Sequence, residues 1–433
     1  MPIPDSALSQ AVNRARRRLL PFLLLMFVVA FLDRANIGFA KQHFQLSTGI
    51  SESAYAWGAG LFFLSYALFG IPSNLILHRV GAKIWMCSIM VTWGLISTCT
   101  MFVHGPVSFY LVRLLLGFAE AGFFPGVILY LTYWFPGRVR GQVMGQFYFG
   151  APLAFILGGP LSGLLLTLHG KAGLLGWQWM FLVEGSLAVI VGLWAFWYLS
   201  DRPSDAPWLS IAQRSALQEA LAAEEQLRAA HGPSALLNAF TDRRLLHFAS
   251  VYFLIQMSVY GVVFYLPAEV AAILGKSIGL EVGFVSAIPW LCALAAVIFV
   301  PWWADRLRRP ALLAAAVLAV SGLSSTLFLL PNGALALAAL CVAASGFIAV
   351  QPIFWTFPTS YFSGRAAAGS IAAINTLGAL GGFVAPNIKV WAELHFAFPA
   401  AGLYVLAAFS LLAAALLALL GQAGPALPPA NPN

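Results

Sequence analysis

The sequence predicts an all-α membrane protein of twelve transmembrane helices arranged in two six-helix halves. Three observations carry that expectation. Of the 433 residues, 61% are hydrophobic and only 9% are charged, against about 45–50% and about 25% in soluble domains. Apolar runs long enough to cross roughly 30 Å of hydrocarbon recur along the chain. Lysine and arginine gather in alternate segments between those runs. The same composition excludes a secreted disulfide scaffold, a coiled coil and a disordered chain. Cys87, Cys99, Cys292 and Cys341 lie in apolar runs without C-x-x-C spacing, so they read as small buried hydrophobes.

Residues 1–18 form an N-terminal segment carrying Arg14, Arg16, Arg17 and Arg18. Six apolar runs follow at about 19–39, 55–77, 84–104, 107–132, 143–168 and 177–199, giving an N-terminal half over 19–199. The first run is too long for a signal-peptide core and no A-x-A-like site follows it. Residues 200–245 are the one long polar interval and read as a solvated linker. In it, Ser210-Ile-Ala-Gln213 is a capping box that opens a helix, and His231-Gly232-Pro233 ends that helix. Six further runs at about 246–271, 283–303, 311–330, 333–358, 370–393 and 398–421 form the second half, 246–421. Residues 422–433, with Pro425, Pro428, Pro429 and Pro432, read as a disordered tail.

Seventeen of the 23 basic residues fall in segments on the side of the N-terminus, among them Arg79, Lys83, Arg138, Arg140, Arg202, Arg244, Arg309 and Arg365. The opposite side holds Lys41, Lys171, Lys276 and Lys389. Because basic residues stay inside, both termini are expected in the cytoplasm. The net charge of +8 is then a topology signal, and no nucleic-acid partner is expected. The halves read as diverged copies. His78-Arg79-Val80-Gly81-Ala82-Lys83 corresponds in place and charge to Asp305-Arg306-Leu307-Arg308-Arg309, six runs later. Gly158-Gly159-Pro160 with Gly163 corresponds to Gly378, Gly381, Gly382 and Pro386. Such small-residue stretches allow close helix approach and kinking.

Four ionisable residues lie well inside runs: Asp33 and Arg34 in the first, Arg113 and Glu120 in the fourth. Each costs at least about 2.5–3.5 kcal/mol to insert. At about 1.5 Å per residue, Arg34 and Arg113 are expected at one depth, with Glu120 about 10 Å deeper on the face of Arg113. Two guanidiniums at one level suit a carboxylate, which each can grip twice. Two acids beside them can titrate, which gives a route to coupling protons to an anion. The competing reading makes Asp33–Arg34 and Arg113–Glu120 static pairs between helices. Tyr66, Gln256, Tyr260, Trp355 and Asn375 are further candidates for a cavity lining, each equally open to interhelical bonding or packing. Glu184 reads as structural, and Glu269, Glu281 and Glu393 as solvated near the outer boundary. His104, His169 and His395 lie near run ends and read as neither ligands nor relays. No cofactor or metal is expected. Nucleotide-binding, hydrolase and metalloprotease motifs are absent from the sequence, which leaves transport driven by an ion gradient.

Phe31-Leu-Asp-Arg-Ala-Asn-Ile-Gly-Phe39, Gly70-Ile-Pro-Ser-Asn-Leu-Ile-Leu-His-Arg79 and Gly117-Phe-Ala-Glu-Ala-Gly-Phe-Phe-Pro-Gly126 resemble signatures of the anion:cation symporter family within the major facilitator superfamily. Gly176-Trp-Gln-Trp-Met-Phe-Leu-Val-Glu184 and Phe354-Trp-Thr-Phe-Pro358 agree, so the resemblance spans essentially the whole chain. It implies an alternating-access carrier similar to bacterial permeases for tartrate, phthalate, hydroxyphenylacetate and sugar acids. It further implies that Asp33 and Glu120 take up protons, that Arg34 and Arg113 hold a substrate carboxylate, and that Tyr66, Trp355 and Asn375 line the cavity. Ala151 stands where a sugar-acid carrier can place glutamine, which tilts the expectation away from long hydroxylated acids. Asn74 stands where the superfamily's general loop motif has aspartate. The expected protein is a monomer in the bacterial inner membrane, importing a small carboxylate with protons. An exchanger of the same fold, and a channel or receptor without active transport, are the alternatives.

Overall fold

The computed structural model describes residues 7–229, 242–307, 309–327, 332–361, 364–396, 398 and 400–420, and they are almost wholly helical. The N-terminal half contains α1 (Ala7–Thr48), α2 (Glu52–Val80), α3 (Ala82–Cys99), α4 (Pro106–Glu120), α5 (Phe123–Trp134), α6 (Gly137–Phe147), α7 (Gly150–Leu166) and α8 (Gly176–Tyr198). The linker contributes α9 (Ile211–Ala229). The second half contains α10 (Arg243–Leu274), α11 (Leu280–Arg306), α12 (Pro310–Ser324), α13 (Gly333–Tyr361), α14 (Gly364–Phe396) and α15 (Ala401–Leu420). The expected helix stop at His231-Gly232-Pro233 and the tail at 422–433 lie outside the described residues. The surface is inverted relative to a soluble protein: Trp197 of α8 is 74% exposed and Phe299 of α11 65% exposed. Such a belt suits lipid and would drive aggregation in water.

Apart from the linker helix α9, twelve crossings account for these helices once two interruptions are recognised. The fourth crossing is α4 plus α5, broken at Ala121–Gly122, and the fifth is α6 plus α7, broken at Tyr148–Phe149. Neither break was expected, because the apolar pattern runs through both. At the first, a side chain on Gly122 would come within 1.9 Å of Ser73 Oγ and 2.7 Å of Trp85 Nε1, so α2 and α3 crowd the chain there. Conversely, α7 runs through Gly158-Gly159-Pro160 without interruption. Those small residues serve close approach.

The helix pairs recur with the offset of a six-crossing repeat. In the first half α3 packs on α8, α2 on α4, and α1 on α7; in the second α12 packs on α15, α11 on α13, and α10 on α14. Between halves, α2 meets α14 and α7 meets α11, which the same pseudo-two-fold exchanges.

The halves are pressed together at the end where α1 and α10 finish, hereafter the distal end. An added Cβ on Gly159 would lie 2.3 Å from the Gly283 carbonyl oxygen, and one on Gly283 would lie 2.2 Å from that of Gly159. Hydrogen bonds cross the seam from Ile278 N to Gln42 Oε1 (3.1 Å), between His43 Nε2 and Ile278 O (2.8 Å), and from Asn387 Nδ2 to Ala56 O (3.4 Å). Lys41 and Lys389, one from each half, bring their ammonium groups to 4.8 and 4.1 Å from the centre of the Tyr265 ring. Lys389 is only 6% exposed and pairs with Glu393 at 2.6 Å, and Glu269 stands in the field of both lysines. The distal acids Glu269 and Glu393 are thus partly buried in a charged cluster, not free in solvent.

Two polar segments are more ordered than expected. The first helix begins at Ala7 among the described residues, and Ala11, Ala15 and Leu19 are fully buried, so residues 7–18 are continuous with the helix of the first run. In the linker, Ser210 and Gln213 cap one another as expected. The linker helix α9 is docked: Glu224 accepts from Gly137 N at 2.9 Å and pairs with Arg140 at 3.0 Å. It is therefore held against the N-terminal half.

Candidate functional site

Asp33 and Arg34 are neighbours on α1, so their side chains leave the helix about 100° apart. Asp33 turns away from the molecular axis. It is 3% exposed, accepts a hydrogen bond from Ser97 Oγ of α3, and receives Asn36 Nδ2 at 3.4 Å. Arg34 turns towards the axis and forms an ion pair with Glu120, the last residue of α4. Its guanidinium is walled by aromatic rings, 4.9 Å from the centre of Phe31, 5.3 Å from Tyr66 and 5.5 Å from Phe62.

This pairing differs from the expected one. Arg113, the presumed partner of Glu120, points back at α2. Its Nε donates to Gly58 O (3.3 Å) and its Nη2 to Ala59 O (3.4 Å), and its charge faces Asp33. Its guanidinium lies 4.9 Å from the centre of the Phe62 ring. The two arginines therefore meet the same ring, as a common level requires, but pair crosswise: Arg34 with Glu120, and Arg113 facing Asp33.

Between the halves lies a cavity with about 110 Å³ open to the centre of a water molecule. Arg34, Tyr66, Glu120, Gln256, Tyr260 and Asn375 line it together with Ala151. Asp33, Arg113 and Trp355 do not. Trp355 stands behind Tyr252, with ring centres 4.9 Å apart, and Tyr252 is the lining residue. Sequence reading missed Tyr148, Tyr252 and Gln351 in the lining. Gln351 carried a usable signal, a polar residue inside the apolar run 333–358. Tyr148 sits in the unforeseen break between α6 and α7. Besides Glu120 Oε1, the oxygen of the ion pair, two buried polar atoms on lining residues, Arg34 Nε and Gln256 Oε1, have no hydrogen-bond partner. One is a donor on an ion-paired cation and the other an amide acceptor. The cavity thus offers one guanidinium, held by one carboxylate, inside a wall of tyrosine and phenylalanine rings. A guanidinium so placed is chemically able to grip an anion through two parallel hydrogen bonds.

The sequence profile of the Major Facilitator Superfamily matches residues 23–386. The inner membrane transport protein RhmT of Escherichia coli (strain K12) is 46% identical over 410 residues, covering 95% of each chain. A provisionally named tartrate transporter of Agrobacterium vitis is 40% identical over 424 residues, covering 96% of this chain and 92% of its own. The fold matches the crystal structure of a D-xylose–proton symporter with a TM-score of 0.73, at 16% identity, over 92% of this chain and 96% of that one.

Proposed function

The chain belongs to the Major Facilitator Superfamily and is a multi-pass membrane transporter, not an enzyme, and on that premise we propose that it imports a small organic carboxylate together with protons. The observation that carries this reading is the Arg34–Glu120 pair in the cavity wall. While Glu120 is ionised it occupies Arg34. Once protonated, it releases the guanidinium to an incoming carboxylate, and the site exchanges one acid for another at nearly constant charge. Holding that charge constant matters because an unpaired charge in a dry cavity is costly. Tyr66 and Tyr260 supply apolar faces with hydroxyl tips, and Gln256 and Asn375 supply amides, so the remainder of the substrate is short and either hydroxylated or aromatic. Ala151 leaves that part of the wall without a polar group. A relative named for tartrate fits this class.

In this reading the termini are cytoplasmic and the membrane is the bacterial inner one. The closed distal end is then the outer mouth, and the carrier stands ready to open inward. Asp33, facing Arg113 behind the wall, is the second proton-accepting group. The carrier works as a monomer.

The test is uptake by proteoliposomes with and without an imposed pH gradient, after a thermal-shift panel of carboxylates has chosen the substrate. Wild type accumulates that substrate uphill. Glu120→Gln, which imitates the protonated state, still binds it and exchanges it in counterflow but loses accumulation. Uphill accumulation by Glu120→Gln refutes the assignment. Wild-type counterflow without any response to the gradient makes the protein an exchanger.

A further inference from the structure

A third carboxyl, Glu184 of α8, takes no part in the reading above. It is 2% exposed and lies in the middle of the first half. Its neighbours are polar but not cationic. Ser162 Oγ of α7 donates to its Oε1 at 3.1 Å, and the Asn36 side chain of α1 is within hydrogen-bonding reach. The charged group that faces it is Asp33, another acid. From α3, against which α8 packs, the nearby polar groups are hydroxyls: Ser97, already bound to Asp33, and Thr98, bound to the Gly94 carbonyl. Among the described residues, no ion pair involves Glu184. Two atoms complete the picture: Glu184 Oε2 and Asn36 Oδ1 are both buried, both acceptors, and both without a donor.

An ionised carboxylate here would sit in the membrane core beside a second acid with no cation to offset it. A hydrogen on Glu184 Oε2 removes that charge and turns the orphan acceptor into a donor, for which Asn36 Oδ1 is an acceptor still without one. We propose that Glu184 is held protonated at neutral pH, donates that hydrogen to Asn36 Oδ1, and thereby fixes the Asn36 amide with its Nδ2 directed at Asp33. Glu184 is then a positioning residue. Its neutral acid orients the amide that stabilises the Asp33 carboxylate, and it sets the pH at which Asp33 takes up its proton. This rests on the role given above to Asp33, whereas the protonation of Glu184 stands independently of any transport activity.

Infrared spectroscopy of the purified full-length protein in lipid separates the two. At neutral pH, the wild-type minus Glu184→Gln difference spectrum is expected to show a protonated-carboxyl band. A carboxylate band in its place overturns the proposal. For the positioning role, the pH profile of the Asp33 band, identified with Asp33→Asn, is compared in three variants. Glu184→Gln retains a donor and keeps the wild-type profile. Glu184→Leu and Asn36→Ala, which lose the donor or the amide, move the midpoint upward by about one pH unit. An unmoved midpoint in Asn36→Ala, or a Glu184→Gln shift equal to that of Glu184→Leu, overturns the positioning role. Should Glu184→Leu fail to fold, Glu184→Ala takes its place, since Asn36→Ala removes the amide whether or not Glu184 orients it. A protonated Glu184 in a protein that shows no proton-driven uptake would leave this inference standing and refute the proposed function.

Discussion

Arg34 and Arg113 look equivalent in the sequence and have different surroundings in the fold. Arg34 lines the cavity and holds Glu120; Arg113 is 2% exposed, bonded to two carbonyls of α2 and facing Asp33. Their truncations should therefore fail differently. Arg34→Ala is expected to weaken carboxylate binding at least ~30-fold, as loss of one member of a desolvated charge pair does, and Arg34→Lys to restore little of it, since the planar fork is lost. Arg113→Ala is expected to act on stability, at about 3–5 kcal/mol, because it leaves the Asp33 carboxylate buried without its cation. Adding Asp33→Asn should recover much of that loss. Titration calorimetry and thermal denaturation check the two arms, and equal affinity losses with no rescue would mean that Arg113 binds substrate directly. The four central charges were legible in the sequence because each breaks an apolar run. Their crosswise pairing was not, because it depends on the rotation of α1 against α4 and on how far an arginine can turn back along its own helix.

The crossings were legible for the same reason as the charges, since length and hydropathy are local properties. The breaks at Ala121–Gly122 and Tyr148–Phe149 were not, because crowding by α2 and α3 at the first is a property of the assembled fold. Glycine was legible as small but not as to its neighbour. Gly159 and Gly283 turn out to be the reciprocal contact at which α7 and α11 touch backbone to backbone. A methyl at Gly159 meets a carbonyl that cannot rotate away, so the halves must part. Overpacking of this kind costs about 1–3 kcal/mol, a shift of roughly 5- to 150-fold in the ratio of closed to open distal ends. Gly159→Ala should therefore raise the alkylation rate of Ala56→Cys, at a position now 1% exposed on the seam. The reagent is a membrane-impermeant maleimide on intact cells, in a background lacking the four native cysteines. An unchanged rate would show that the seam yields by local adjustment.

At the scale of the whole molecule, the two halves were legible as a repeat from charged turns and glycine clusters, and the recurrence of helix pairs bears that out. The distal cluster of Lys41, Tyr265 and Lys389 was not legible, since each lysine alone reads as a solvated charge near a helix end. Only the packed halves bring both ammonium groups onto one ring, where cation–π attraction of about 0.5–2 kcal/mol each helps close that mouth. The crosswise pairing also has an electrical consequence. Asp33 and Glu120 balance Arg34 and Arg113, so with all four ionised the centre of the empty carrier holds no net charge for the membrane potential to act upon. If the empty carrier reorients in that state, the step is blind to voltage, and the current per cycle arises in the loaded step. Each proton carried beyond the substrate's own negative charge then moves one elementary charge, worth about 2.3 kcal/mol per 100 mV. Charge moved per substrate in a solid-supported-membrane recording would thus count the protons directly: none for a monoanion with one proton, one for a monoanion with two.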